Sequence, residues 1–124
     1  MNEKTKEKQK TEDCIFCKIA RGEIKGDVIA DEDNFIVMND IDQSILGHCL
    51  VIPKKHYETI LDMPATLGTE LVDIAKKQSL RLIKEGKAEG IKLVNNNYEA
   101  SGQFIKHFHL HIIPEKKGVK TKHV

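Results

Sequence analysis

Apolar positions along the chain fall into short, separated runs, and the spacing within each run predicts its element. Cys14-Ile15-Phe16-Cys17-Lys18-Ile19-Ala20 reads as a tight turn entering a short helix, with Gly22 placed to end it. Val28 to Ala30 and Phe35 to Met38 read as two strands of a hairpin around the polar turn Asp31-Glu32-Asp33-Asn34. Gly47-His48-Cys49-Leu50-Val51-Ile52 is a third strand, stopped by Pro53. Pro64 suits the first turn of a helix, where a missing N–H costs nothing. From there Leu67, Leu71, Ile74, Ala75 and Leu82 recur at helical spacing, with Lys76, Lys77, Arg81 and Lys84 on the other side, up to about Gly86. Ile91 to Asn95 alternates as a fourth strand. After a loop from Asn96 to Gly102 comes the longest expected strand, about Phe104 to Ile113.

Five strands, one long helix, one short N-terminal helix and no βαβ rhythm imply an α+β domain with a mainly antiparallel sheet. With 124 residues there is room for one core, expected over 14–114. Residues 1–13 are almost wholly polar and charged. They cannot bury enough apolar surface to offset ordering, so they are expected to form a disordered arm. The stretch 115–124 is a basic tail without periodicity.

Composition narrows the partners. Twenty basic and nineteen acidic side chains nearly cancel, which argues against a general nucleic-acid binder but not against a pocket for one nucleotide. No run approaches the roughly 20 apolar residues of a membrane span, and the N-terminus lacks a signal-peptide core. Three cysteines, an odd number, fit thiols of a reducing compartment, so a cytoplasmic protein is expected.

The chemistry concentrates in His107-Phe108-His109-Leu110-His111. On a strand, alternate residues share a face, so the three imidazoles form one row roughly 6.5–7 Å apart while Phe108, Leu110 and Ile112 face a core. Such a row can share a metal ion, or it can hold a nucleophile beside a proton-handling neighbour. Cys14-Ile15-Phe16-Cys17 adds a C-x-x-C knuckle, which is either redox-active or half of a four-ligand zinc site.

Together these segments resemble the histidine triad (HIT) family. The pattern His, apolar, His, apolar, His, apolar, apolar is complete from His107 to Ile113. The likeness extends to Gly102-Gln103, to Asn95-Asn96-Asn97, to the stretch from Gly47 to His56 and to the C-x-x-C knuckle. The branch it is most similar to is the Hint-like one of the zinc-binding bacterial type, whose members are nucleoside phosphoramidate hydrolases. The resemblance implies a HIT-like fold and a homodimer. It implies His109 as the nucleophile that attacks the α-phosphorus, and His111 as the group that contacts phosphate and protonates the leaving amine. His48 would line the site, and Gln103 and Gly102 would hold phosphate oxygens. Asp40 would accept the ribose hydroxyls, Asn96 would contact the phosphate or ribose, and Ile15, Phe16, Met38, Ile41 and Leu50 would surround a purine base. Cys14, Cys17, His56 and His107 would hold a structural zinc, leaving Cys49 as a small buried hydrophobe. At the position after Gln103, where the branch commonly carries Ser or Thr, stands Phe104. Two other readings go with the resemblance: a dinucleoside polyphosphate hydrolase, and a zinc-stapled nucleotide-binding or interaction protein with little turnover.

Overall fold

A computed structural model describes residues 12–119; all but the last two positions of the expected N-terminal arm, and the last five of the C-terminal tail, lie outside them. Helix α1 spans Ile15–Ala20 and helix α2 spans Gly68–Lys84. The strands are β1 (Val28–Asp31), β2 (Phe35–Asn39), β3 (Cys49–Pro53), β4 (Gly90–Val94) and β5 (Leu110–Glu115), with short 3-10 turns at Ala65–Leu67 and Glu99–Ser101. The strands form one sheet in the order β1-β2-β3-β5-β4, with every neighbouring pair antiparallel. This is the expected α+β architecture.

Burial explains why β2 and β3 are continuous apolar runs rather than alternating ones. Phe35, Val37, Cys49 and Val51 pack with Leu71, Ile74 and Leu82 of α2, and Phe108 and Ile112 join the same cluster. Ile36, Met38, Leu50 and Ile52 point the other way and pack with Cys14, Phe16, Cys17 and Ile19 of α1. A sheet covered on both faces needs apolar side chains on both. Cys49 is completely buried beside Gln78, and burial raises its thiol pKa to about 11, so it behaves as a small hydrophobe.

Three local expectations are revised. Pro64 precedes the 3-10 turn in an extended conformation instead of occupying the first turn of α2. Pro53 closes β3 instead of standing outside it, paired with Phe35. The last strand starts at Leu110, not near Phe104, and runs through Pro114 to Glu115, so the basic tail is shorter than expected. The upstream backbone is bonded elsewhere: Phe108 N–H donates to Tyr57 O at 2.6 Å and His107 N–H to Ile105 O at 2.9 Å. Pro114 is tolerated because the pairing with β3 ends at Ile112, leaving that side of β5 an edge.

Helix α1 stops where expected. Arg21 caps it and Gly22 follows at φ +77°, a left-handed position that costs glycine little.

Candidate active site and metal centre

Cys14 and Cys17 are brought together by the first turn of α1. Cys14 is its N-cap, and its Sγ accepts the Cys17 N–H at 3.3 Å. Opposite them stand His56, just past β3, and His107, ahead of β5. Cys14 Sγ lies 3.2 Å from His107 Nδ1, and Cys17 Sγ lies 3.2 Å from His56 Nδ1 and 3.3 Å from His107 Nδ1. All four candidate ligand atoms fall within 4.8 Å of one another. A tetrahedral zinc with Zn–S near 2.3 Å and Zn–N near 2.0 Å places sulfur and nitrogen about 3.5 Å apart, so this donor set fits zinc with small adjustments.

The tautomer of His107 supports the fit. Its Nε2 is 2.8 Å from Pro53 O, which can only accept, so Nε2 carries a proton and Nδ1 is the atom turned to the thiols. Burial opposes ionisation of both cysteines. Hydrogen bonds from His107 and His56 nevertheless bring Cys14 down to about 5, while burial and the neighbouring Cys14 push Cys17 up to about 12. A metal-free pair thus carries one thiolate; a cation is what would stabilise two.

Beyond His107 the row continues into a second constellation. His109 Nδ1 donates to His107 O at 2.9 Å, so its Nε2 is unprotonated. The His109 and His111 rings meet edge-to-face at 4.9 Å, and the Phe16 ring stands 5.3 Å from His109. His111 Nδ1 is 3.0 Å from His48 Nε2, and that nitrogen is 3.9 Å from Asp40 Oδ2. The alternation read from sequence survives although only His111 belongs to the β5 ladder: Phe108, Leu110 and Ile112 pack on the α2 side. All three imidazoles are buried. Burial, then the charges of His109 and His48, depress His111 to about 4; burial likewise lowers His109 and His48. His48, His109 and His111 are therefore neutral near pH 7.

A cleft of about 670 Å³ opens beside these groups. Its lining includes Ile15, Phe16, Met38, Asp40, Ile41 and Leu50, all six residues expected around the nucleoside. Ile41 is a fully exposed rim residue. The cleft meets the histidines through Phe16 and Asp40. Asn96 and Gly102 are not in its lining: Asn96 is half-buried after β4, and Gly102 is exposed at φ +98°.

Gln103, expected to hold phosphate oxygens, is bonded to backbone here. It is only 4% exposed, and its side chain is fully used on backbone. Its Oε1 accepts Tyr98 N–H at 2.6 Å, and its Nε2 donates to Glu58 O at 2.6 Å and to Ile105 O at 3.0 Å. Both amide hydrogens are bonded to backbone, so this side chain ties three loops together. Tyr98, which it clamps, is the single non-glycine residue at positive φ among the described residues, at +70°. Two further residues hold the backbone at His109. Asn95 Nδ2 donates to His109 O at 3.2 Å, and Asn97 bridges Asn95 Oδ1 and Ile60 N–H. Their run was visible in the sequence, but nothing there separates the two supporting asparagines from the one between them.

Comparison with known proteins agrees with this geometry. A family model described as the HIT domain matches residues 21–118. The chain belongs to the HIT family. It is 40% identical over 107 residues to a HIT-like protein of Methanocaldococcus jannaschii, covering 85% of this chain and 81% of that one. It is 35% identical to the adenosine 5'-monophosphoramidase of Saccharomyces cerevisiae, covering 86% of this chain and 66% of the yeast protein. Among solved structures, a Zn-bound histidine triad family protein from Mycobacterium smegmatis superposes with a TM-score of 0.79 at 30% identity, covering 89% of this chain and 80% of that one. Among the described residues of this HIT protein, no helix is long and apolar enough to cross a membrane.

Proposed function

We propose that this HIT protein is a nucleotide hydrolase that cleaves the phosphorus–nitrogen bond of purine nucleoside 5'-phosphoramidates. The observation that carries the reading is the bond from His109 Nδ1 to His107 O, which leaves a buried, neutral Nε2 beside the cleft. That nitrogen attacks the α-phosphorus, forming a new P–N bond as the bond to the leaving amine breaks. Water then cleaves the nucleotidyl-histidine and releases the monophosphate. Covalent catalysis of this kind splits one hard displacement into two easier ones.

The leaving amine needs a proton, since an amide anion is a very poor leaving group. His111 is neutral in the free protein, so a cationic donor at this position has to form with substrate: a bound phosphate anion raises the pKa of an adjacent imidazole. His48 shares a proton with His111 across 3.0 Å and fixes its ring. Asp40, on the cleft wall, takes the ribose diol, and Phe16, Met38 and Leu50 take the base. Gln103 contributes by positioning.

Cys14, Cys17, His56 and His107 hold a structural zinc in this reading; the ion supplies a crosslink between α1, the end of β3 and the approach to β5. A homodimer goes with it. Edge strand β4 carries the half-exposed Leu93 beside Val72 of α2, around an apolar groove of about 300 Å³ that a second copy would cover.

A second substrate class is favoured by one observation. A cleft of about 500 Å³ lined by Phe104 and Lys106 shares Ile15 and Ile105 with the nucleoside cleft, giving room for a second nucleoside. Comparing turnover of an adenosine phosphoramidate with that of a diadenosine polyphosphate tests the choice. Faster phosphoramidate cleavage is expected. Preference for the dinucleotide overturns it, and no turnover of either leaves a binding protein.

A further inference from the structure

Asp40, His48 and His111 present three candidate ligand atoms within 4.8 Å of one another, separate from the cysteine-containing cluster. We propose that these three residues form a second, exchangeable site for a first-row divalent transition ion, and that an ion there excludes nucleotide. Two imidazoles and one carboxylate with open positions are a donor set suited to zinc, cobalt or nickel. With metal–ligand bonds near 2.1 Å, a tetrahedral ion wants its ligand atoms about 3.4 Å apart. The separations are 3.0 Å for His48 Nε2 to His111 Nδ1 and 3.9 Å for His48 Nε2 to Asp40 Oδ2, and all three atoms lie within 4.8 Å of one another, close to that spacing.

The proton balance is simple. Nitrogens 3.0 Å apart share one hydrogen, and an ion takes its place. The ring that donates moves its proton to its other nitrogen, the second ring keeps its own, and neither neutral imidazole loses a proton to solvent. His48 and His111 are both buried, while Asp40 lies on the cleft wall and gives the ion a route in. Both rings are already held by the sheet, His48 next to β3 and His111 opposite Leu50, so little ordering remains to be done on binding.

The site differs from the cysteine cluster in a measurable way: it has no sulfur. Cobalt bound there absorbs through ligand-field bands without a thiolate-to-cobalt charge-transfer band. It also takes Asp40 and His111 away from substrate. The competition, though not the binding, rests on the reading of Asp40 as the ribose contact.

The test uses full-length protein with the cysteine cluster filled by zinc, titrated with cobalt and followed by visible absorption. One further equivalent per chain is expected, without charge-transfer absorption. His48→Asn and Asp40→Asn should each weaken it by at least about tenfold, the scale on which even outer-shell changes act. Adenosine monophosphate should displace the cobalt, and the weakening of each by the other must be equal. No further equivalent in the wild type, or one retained by both variants, overturns the proposal. If His48→Asn fails to fold, Asp40→Asn alone decides. A second equivalent that is lost in the variants but unmoved by nucleotide keeps the metal site and refutes the ribose assignment. Because binding is read without turnover, a protein that hydrolyses no phosphoramidate still tests it.

Discussion

His107 and His109 are joined by one hydrogen bond, from His109 Nδ1 to His107 O at 2.9 Å, while the His107 ring faces two cysteines. One residue thus uses its side chain in the cysteine–histidine cluster and its carbonyl to set the tautomer of the proposed nucleophile. Disturbing the cluster should be felt at the phosphorus-attacking nitrogen.

The first prediction follows directly. Chelating the metal, or replacing Cys14 and Cys17 by Ser, should lower both stability and turnover. A loss of even ~2 kcal/mol lowers the melting midpoint by roughly 6–12 °C in a chain of this size. Calorimetry with elemental analysis checks it. A metal-free protein that melts at the same temperature contradicts a structural zinc.

Acid should destabilise the protein. His111 is lowered to about 4 from an ordinary value near 6.5, and His109 and His48 are lowered too. Between about 6.5 and 4 the unfolded chain binds more protons than the folded one, so stability is full above that window and falls as pH drops through it. Urea midpoints at pH 7.5, 6 and 4.5 should decrease in that order. His111→Asn should flatten the slope; an unchanged slope would assign the proton uptake elsewhere.

Gln103→Leu should cost stability before chemistry. It leaves Tyr98 N–H and Glu58 O without this partner, while Ile105 O keeps His107 N–H, a loss of about 2–4 kcal/mol in total. Gln103→Glu keeps the acceptor for Tyr98 and should fall between. Undiminished stability with a raised KM would instead mean direct contact with phosphate.

Phe104 is 93% exposed, so its replacement disturbs no packing. Phe104→Ser should leave the melting temperature unchanged and, by adding a hydroxyl worth ~1 kcal/mol to bound phosphate, raise kcat/KM for a phosphoramidate by about fivefold. Turnover of a bulky dinucleotide should fall, since the aromatic wall of the second cleft is lost. Equal effects on both substrates would remove Phe104 from leaving-group selection.

Much of this was legible in the sequence because the signals are periodic. The alternation from His107 to Ile113 put imidazoles on one side and apolar groups on the other, and that held although the hydrogen-bonded ladder begins only at Leu110. Side-chain alternation needs only extended backbone, whereas a ladder needs a partner strand, and residues 104–109 bond instead to Tyr57, Gln103 and Asn95. The same limit hid the work of Gln103. A motif position shows that an amide is present, not which of its bonds are spent on its own backbone. Asn95 and Asn97 could not be ranked for the same reason. The pairing of Cys14 and Cys17 with His56 and His107 spans 93 residues and is settled only by the fold.

The nucleophile is tested most directly by trapping. Wild-type protein mixed with an adenosine phosphoramidate and quenched within one turnover should carry an added adenylyl group, mapped by peptide mass spectrometry to His109. His109→Ala should carry none and lose turnover by several orders of magnitude. An adduct on His111 or His48, or turnover that survives in His109→Ala, would contradict the assignment.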